Sequence, residues 1–493
     1  MTGEGVMVAG GDPGAAASAT AQDHWSSRWA FILAAVGSAV GLGNLWRFPS
    51  EAGANGGGAF VIFYIFCVLL IGLPLLLSET LIGRHGQSSA VESVRNVARE
   101  SRASGGWAAL ALVGMLAAYL ILTFYSVIAG WVLYYIGVFV SDFLAAVGNG
   151  TLLDGAFAGW SGDEVQGLLP ALFENNAMML ALHALFMAIT VYVVMRGVSG
   201  GIEKIAVWLM PAFFFLFLGI TVYGAFTGAF AEALEFLFAF EPARLLHGPV
   251  MLSALGQAFF SLSLGSAVMI TYGAYADRGV NLASTSATIA AADTSVAIIA
   301  GLAIFPIVFA AGLAADAGPT LMFQTLPASF QAMPAGSLIG LLFFVMVFFA
   351  ALTSSVSLLD VATRWAIGQF GVRRFRAALI LGVIAFLIGI FSALSFNVIA
   401  EWYPLQFIPI FEEQNFFGIV DRLSGQLLLP LSGLLTALFI GWIADRRLTD
   451  RENGISGGLH LFWRFLVAWL CPIALTLILV LGLFPDLLGG GAG

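Results

Sequence analysis

The chain has 493 residues, 60% of them hydrophobic and only 10% charged, with a formal net charge of −9. A soluble globular domain carries about 25% charged residues, so this composition excludes one and points to a chain that crosses a membrane many times. The acidic balance, with Lys204 the single lysine, argues against a nucleic-acid partner.

Residues 1–24 lack the basic start and apolar core of a signal peptide, and their Gly/Ala-rich composition predicts a disordered cytoplasmic tail that is retained. Apolar runs long enough to span a bilayer follow at 28–50, 59–82, 108–141, 179–195, 202–225, 251–275, 284–313, 336–368, 377–398, 413–444 and 461–484. They predict eleven spans, the fourth a short one. Basic residues collect on one face: Arg84, Arg95, Arg99 and Arg102 after span 2, Arg196 and Lys204 after span 4, and Arg278 after span 6. Arg373, Arg374 and Arg376 follow span 8, and Arg446, Arg447 and Arg451 follow span 10, while the alternate loops carry Asp154, Asp163, Glu164, Glu232, Glu235 and Asp316. The positive-inside rule then places the N-terminus in the cytoplasm and the tail 485–493 outside a plasma (inner) membrane.

Cys67 and Cys471 sit within spans without a partner motif and read as small packing residues. The histidines at 24, 85, 183, 247 and 460 are scattered, four of them outside the spans, with no metal-ligand spacing. His183 reads as a packed or hydrogen-bonded residue. There is no GxxxxGK[ST] phosphate loop and no nucleophile–base constellation, so an enzyme is not expected.

Span 1 contains the run Gly37-Ser38-Ala39-Val40-Gly41-Leu42-Gly43-Asn44-Leu45-Trp46-Arg47-Phe48-Pro49. Its glycines weaken the helix, and carbonyls freed inside a bilayer are tolerated only where protein or a ligand satisfies them. The segment reads as a helix broken around a site. Span 6 repeats the anomaly, with Ser261, Ser263, Gly265 and Ser266 interrupting an apolar run. Spans 1 and 6 head two successive five-span blocks, and paired Gly-interrupted segments at matching places are the mark of a transporter built from inverted repeats. The predicted architecture is therefore an all-α polytopic membrane protein with a 5+5 inverted repeat: residues 25–225, then 251–444, with an eleventh transmembrane helix at 461–484.

At such a site half-helix N-termini face an anionic group and unwound carbonyls face a cation. Oxygen donors alone suit a hard cation such as Na⁺. Asp293 in span 7 and the Thr353-Ser354-Ser355 cluster in span 8 are candidate donors, and a carboxylate near mid-bilayer is functional by default. Glu79 in span 2 is expected to satisfy unwound backbone, whereas the role of Asp360 stays open.

Together these residues resemble the neurotransmitter:sodium symporter family. The resemblance rests on Trp25-Ser26-Ser27-Arg28, the run from Gly37 to Pro49, Asn55-Gly56-Gly57-Gly58-Ala59-Phe60, the break Phe259-Phe260-Ser261-Leu262-Ser263-Leu264-Gly265, and Leu352-Thr353-Ser354-Ser355. It implies a first sodium site from the Ala39 carbonyl, Asn44, Ser261 and Asp293, with the substrate carboxylate as a further ligand. It implies a second from the carbonyls of Gly37, Val40 and Ala350 with the hydroxyls of Thr353 and Ser354. The substrate is expected against Ser38, Ala39, Leu42, Gly43, Ile121, Tyr125, Phe260, Ser261, Ser263, Ser266, Ser354 and Leu358. The Tyr125 hydroxyl would bond its carboxylate, Phe260 would cover it from outside, and Arg47 with Asp421 would form the outer gate.

Positions within that pattern discriminate further. Gly41 stands where monoamine transporters carry an aspartate, so the resemblance implies a ligand bringing its own carboxylate. Leu42, Ile121, Phe260 and Leu358 make the side-chain subsite apolar and Ser266 leaves room, which favours a hydrophobic or aromatic L-amino acid. Tyr64, Gln257 and Ser261 match chloride-binding positions, but Ala297 interrupts the set and Asp293 supplies a fixed charge, so chloride independence is expected. In span 5, Gly201 and Pro211 keep a spacing seen in relatives whose fifth helix unwinds, although a helix start and a kink explain it equally. Gln22 and Gly368 occupy the places of the usual inner charge pair, and their neutrality keeps a sodium-dependent amino-acid sensor as the alternative to sodium-coupled import by alternating access. The expected partners are a small amino-acid substrate and the lipid bilayer, and a monomer suffices.

Overall fold

The computed structural model describes residues 24–239, 247–313 and 320–484, and among them every regular element is a helix. Gln22, Asp316, the tail 485–493 and all of the 1–24 tail except His24 lie outside the described residues. In chain order the helices that position the site are α1 (Arg28–Ala39), α2 (Gly43–Ala54), α3 (Gly58–Gly86), α4 (Ala90–Glu100), α5 (Ala109–Asn149), α6 (Asn176–Met195) and α7 (Val198–Thr227). The second series is α8 (Gly248–Ser261), α9 (Val268–Gly273), α10 (Leu282–Ala310), α11 (Gly336–Phe370), α12 (Arg374–Leu394), α13 (Phe416–Ile443), α14 (Arg446–Glu452) and α15 (Gly457–Leu483).

Among the described residues nine helices are long and apolar enough to cross a membrane, or ten if α1 and α2, bent by 48°, form one span. The sixth predicted span is α8 and α9, of 14 and 6 residues, either side of a non-helical stretch. Several spans run past their expected ends: the first to Ala54, the third to Asn149, and the fourth starts at Asn176. The fourth starts there because the Asn175 side chain caps it, accepting from the Met178 N–H at 3.0 Å. His85 and His460, expected outside the spans, fall in the end turns of α3 and α15.

Prolines explain much of the internal irregularity. A proline inside a helix lacks an N–H and its ring meets the carbonyl four residues back. Pro49, Pro74, Pro327, Pro430 and Pro472 each lie two residues beyond a π-helical turn, at Gly43–Arg47, Val68–Gly72, Leu321–Thr325, Arg422–Leu428 and Leu466–Leu470. The carbonyl that the ring would strike lies inside that wider turn, which absorbs the clash without ending the helix.

The middle of the bundle is α11, whose residues from Ala350 to Thr363 are buried on every face. Around it α7, α12 and α15 turn Trp208, Phe215, Leu387 and Trp469 outward, as helices facing hydrocarbon do. Charge appears at one end of the bundle. Arg84 donates to Glu452 Oε2 at 2.8 and 3.1 Å and to the carbonyls of Glu452 and Val280, while His85 lies 3.4 Å from Glu452 Oε1 and 2.7 Å from Glu100 Oε2. This cluster ties α3, α4, α14 and the α9–α10 loop together.

The His85 hydrogen bond, helped by the Arg84 guanidinium, holds the Glu452 carboxyl down at about 2 against the opposing effect of burial. A carboxyl depressed by folding stabilises above its unfolded value, and the contribution is lost as pH falls toward the folded one. The melting temperature of the detergent-solubilised protein is therefore expected to drop between about pH 5 and pH 3. Glu452→Gln should start lower at neutral pH and drop less over that interval.

Candidate functional site

The two breaks meet. α1 ends at Ala39 and the chain resumes at Gly43, while α8 ends at Ser261 and α9 starts at Val268. The second break is tightly turned, with Ser263, Gly265 and Ala267 at φ +53°, +73° and +59°. Gly265 is the position where no other residue fits, since a Cβ there would lie 2.2 Å from the Leu429 carbonyl oxygen. Its N–H donates to Glu79 Oε1 at 2.7 Å, the backbone-satisfying role expected of that buried acid.

Asn44 joins the breaks to α10. Its amide donates to Ser261 Oγ at 3.0 Å, Asp293 Oδ1 at 2.8 Å and the Asp293 carbonyl at 3.2 Å, and Ser261 Oγ donates to Asp293 Oδ2 at 2.6 Å. The Gly41 N–H returns to Asn44 Oδ1 at 3.2 Å, and Gln257 Nε2 donates to the Gly43 carbonyl at 2.8 Å. Asp293 is fully buried, and its hydrogen bonds among the described residues come from neutral groups. An ionised carboxylate so placed is costly unless a cation joins it. The oxygens gathered here suit a hard cation.

A second cluster lies where α1 meets α11. Ser354 Oγ is 3.4 Å from the Gly37 carbonyl, 3.3 Å from that of Ser38 and 3.4 Å from that of Val40. Thr353 Oγ1 lies 3.1 Å from the Ala350 carbonyl. All five residues expected at a second cation site are thus near one another.

Between the clusters is a cavity. Of the twelve residues expected around a substrate, eleven line it, while Ser261 faces Asn44 and Asp293 instead. Gly41 and Leu429 also line it. The Leu42 N–H lies 3.4 Å from the Tyr125 hydroxyl. Ser38 Oγ donates to Ser357 Oγ at 2.8 Å, and Ser263 Oγ to the Ser38 carbonyl at 3.3 Å.

A profile of the sodium:neurotransmitter symporter family matches residues 22–146 and 169–484. The chain belongs to that family. It is 35% identical to the uncharacterized sodium-dependent transporter YhdH of Bacillus subtilis, over 92% of this chain and 96% of that one. It is 25% identical to sodium-dependent nutrient amino acid transporter 1 of Drosophila melanogaster, over 93% of this chain and 77% of that one. The crystal structure of MhsT in complex with L-phenylalanine superposes with a TM-score of 0.82 at 38% identity, covering 94% of this chain and 100% of that one. As a member of this family the chain is a membrane-embedded, sodium-coupled symporter of the broken-helix, inverted-repeat fold, and not an enzyme.

Charged side chains stand at both ends of the bundle in this symporter. Arg47 does not pair with Asp421: its guanidinium lies 4.7 Å from the Phe260 ring centroid and 3.7 Å from Glu51, one turn along α2. The near partner wins because an i,i+4 pair needs no closure of α13 against α2. At the other end Gly368 is helical and contributes no charge, but Arg374 donates to Asp360 Oδ1 at 2.8 and 3.0 Å, and the Tyr275 hydroxyl to Asp360 Oδ2 at 2.9 Å. Trp25 packs edge-on against Tyr275, with its N–H on the Tyr275 carbonyl and its indole N–H on the Tyr272 carbonyl, both at 3.1 Å. Ser26 donates through backbone and hydroxyl to Glu203 at the start of α7. Contacts therefore tie the segments together at the Asp360 end, whereas at the other end no ion pair joins Arg47 to Asp421 among the described residues.

Sequence reasoning flagged Asp360 but counted Arg374 only as a topology signal; their 14-residue separation across a helix turn hid the pair. Leu429 carried no signal, being one leucine in an apolar run. Because the break at Gly265 relies on Glu79, Glu79→Leu should lower stability by about 1–3 kcal/mol. Glu79→Gln, which keeps a carbonyl oxygen for the Gly265 N–H, should cost less, as thermal melts in detergent would read.

Proposed function

We propose that this symporter imports a hydrophobic or aromatic L-amino acid with sodium, by alternating access, without a chloride requirement. The observation that carries the reading is the adjacency of the apolar cavity to the Asn44–Ser261–Asp293 cluster, at the meeting of the two breaks. A ligand in that cavity with its own carboxylate can complete the first cation's oxygen shell. Ion and substrate then stabilise each other.

Gly41 supports an amino acid over an amine. A side chain at that position would begin 2.5 Å from Ser354 Oγ and 3.0 Å from the Tyr125 hydroxyl, so glycine leaves room for those hydroxyls and offers no protein carboxylate to an amine. The Tyr125 hydroxyl is a donor for a ligand carboxylate, and Leu42, Ile121, Phe260 and Leu358 offer an apolar surface to its side chain. MhsT, the structural relative, is complexed with L-phenylalanine, and the fly relative is named for nutrient amino acids.

The first sodium would use Ala39, Asn44, Ser261 and Asp293, and the second Gly37, Val40, Ala350, Thr353 and Ser354. Each sodium charge crossing 100 mV releases about 2.3 kcal/mol, so two support roughly thousandfold accumulation before any concentration gradient is added. Asp293 supplies the negative charge that a chloride would otherwise bring beside Tyr64, Gln257 and Ser261. Substrate entry would draw Phe260 over the cavity and bring Arg47 to Asp421. Parting Arg374 from Asp360 would then open the inner side. That inner pair supports transport over the sensor reading, which rested on the neutral Gln22 and Gly368. The chain works as a monomer in an eleven-span topology, with its N-terminus cytoplasmic and its C-terminus outside.

The test is uptake of labelled tryptophan, phenylalanine, leucine and glycine into proteoliposomes under an inward sodium gradient, with potassium as control. Sodium-dependent accumulation above equilibrium, with the first three ahead of glycine, is expected. Binding without accumulation would return the sensor. Replacing chloride by gluconate should leave uptake unchanged, whereas Asp293→Asn should make the residual uptake depend on chloride; a wild-type loss in gluconate refutes the assignment of Asp293.

A further inference from the structure

Leu429 stands apart from the other cavity residues, which come from the two breaks, α5 and α11. It belongs to α13, the helix that also carries Asp421. Its position follows from two local features. The π-helical turn Arg422–Leu428 immediately precedes it and Pro430 immediately follows. A π turn holds an extra residue, which re-aims the side chains beyond it by about 100° relative to an uninterrupted helix. Pro430 removes one N–H and keeps the wide turn from closing up.

The backbone at this point is fixed against the second break. The Leu429 carbonyl lies so close to Gly265 that a Cβ there would sit 2.2 Å away, and one turn on, Ser432 Oγ donates to the Leu110 carbonyl of α5 at 2.9 Å. Gly114 of α5 closes on the same break, where a Cβ would lie 2.5 Å from the Gly265 carbonyl oxygen and 2.8 Å from Ser432 Oγ of α13. The break is therefore held by close backbone contacts, and Leu429 lines the cavity together with Ser263 and Ser266 of that break. Those serines are short, so among these three the bulk is supplied by leucine.

We propose that Leu429 is a specificity-determining residue that limits the length of the substrate side chain. This rests on the amino-acid symport reading above and goes beyond it by assigning the size limit to α13. Wall and break are locked through main-chain atoms, so the end of the pocket cannot retreat as a unit. At that end of the pocket the size of the residue at position 429 then bears on how deep a ligand reaches. An apolar pocket discriminates a methylene by about 10-fold to 200-fold in specificity, so trimming four carbons to one should be read clearly in the ratio between large and small substrates.

The experiment measures kcat/KM for tryptophan, leucine and alanine in proteoliposomes containing wild type, Leu429→Ala and Leu429→Phe, with the sodium dependence of each. The expected result is a rise of about tenfold in the tryptophan-to-leucine ratio for Leu429→Ala and a comparable fall for Leu429→Phe, with alanine transport changing less than that of either larger substrate. Parallel losses for all three amino acids, or ratios within twofold of wild type in both variants, would overturn the proposal, since a merely structural leucine behaves in that way. The Phe variant guards against misfolding of the Ala variant, because it deletes no packing volume. Wild-type protein that accumulates none of the three counts against the symport reading itself, and this inference falls with it.

Discussion

A peptide N–H or carbonyl without a partner is penalised by several kcal/mol in hydrocarbon, and this symporter interrupts two of its central helices regardless. Every feature of the site can be read as an answer to that constraint. Gly265 passes its N–H to Glu79, the carbonyls of Gly37, Ser38 and Val40 converge on Ser354, and the Gly43 carbonyl takes the Gln257 amide. These partners come from α3, α11 and α8. Breaking a helix here recruits the rest of the bundle to hold the break.

That recruitment makes the site a junction between parts of the chain distant in sequence. Asn44 and Asp293 are 249 residues apart and Ser38 and Ser357 are 319 apart, yet both pairs are hydrogen-bonded and buried. A displacement of α1 relative to α11, or of α2 relative to α10, must change these bonds. The proline-associated π turns in α2, α3, α13 and α15 keep helices continuous that would otherwise end, so that Arg47 and Asp421 stand on α2 and α13 at one end of the site while Asp360, Arg374 and Trp25 gather at the other.

Much of this was legible in the sequence because the anomalies were chemical. Glycines in an apolar run, a lone carboxylate in mid-span and adjacent hydroxyls stand out against leucine and phenylalanine, and the residues so marked do converge. What stayed hidden depended on register and orientation. The partner of Asp360 lies across the α11–α12 turn, the side chain of Leu429 is aimed by a π turn, and Arg47 chose Glu51 over Asp421 for reasons of local spacing. Helix ends misjudged by a few residues, as at Asn149 and Asn176, reflect caps and exposed turns beyond the apolar run.

Ser354 has one hydroxyl hydrogen and three carbonyl neighbours at nearly equal distance, 3.3 to 3.4 Å. At any instant it can serve one of them, leaving two lone-pair clusters directed at the same point. The arrangement is electrostatically overcrowded, and a small cation is the natural relief. A cation held there would require the hydroxyl to turn its hydrogen away and present oxygen instead, so ion and proton would compete for the same carbonyls. The serine hydroxyl therefore softens the repulsion among the three carbonyls by donating to one of them at a time, a role that any cation held between them would take over.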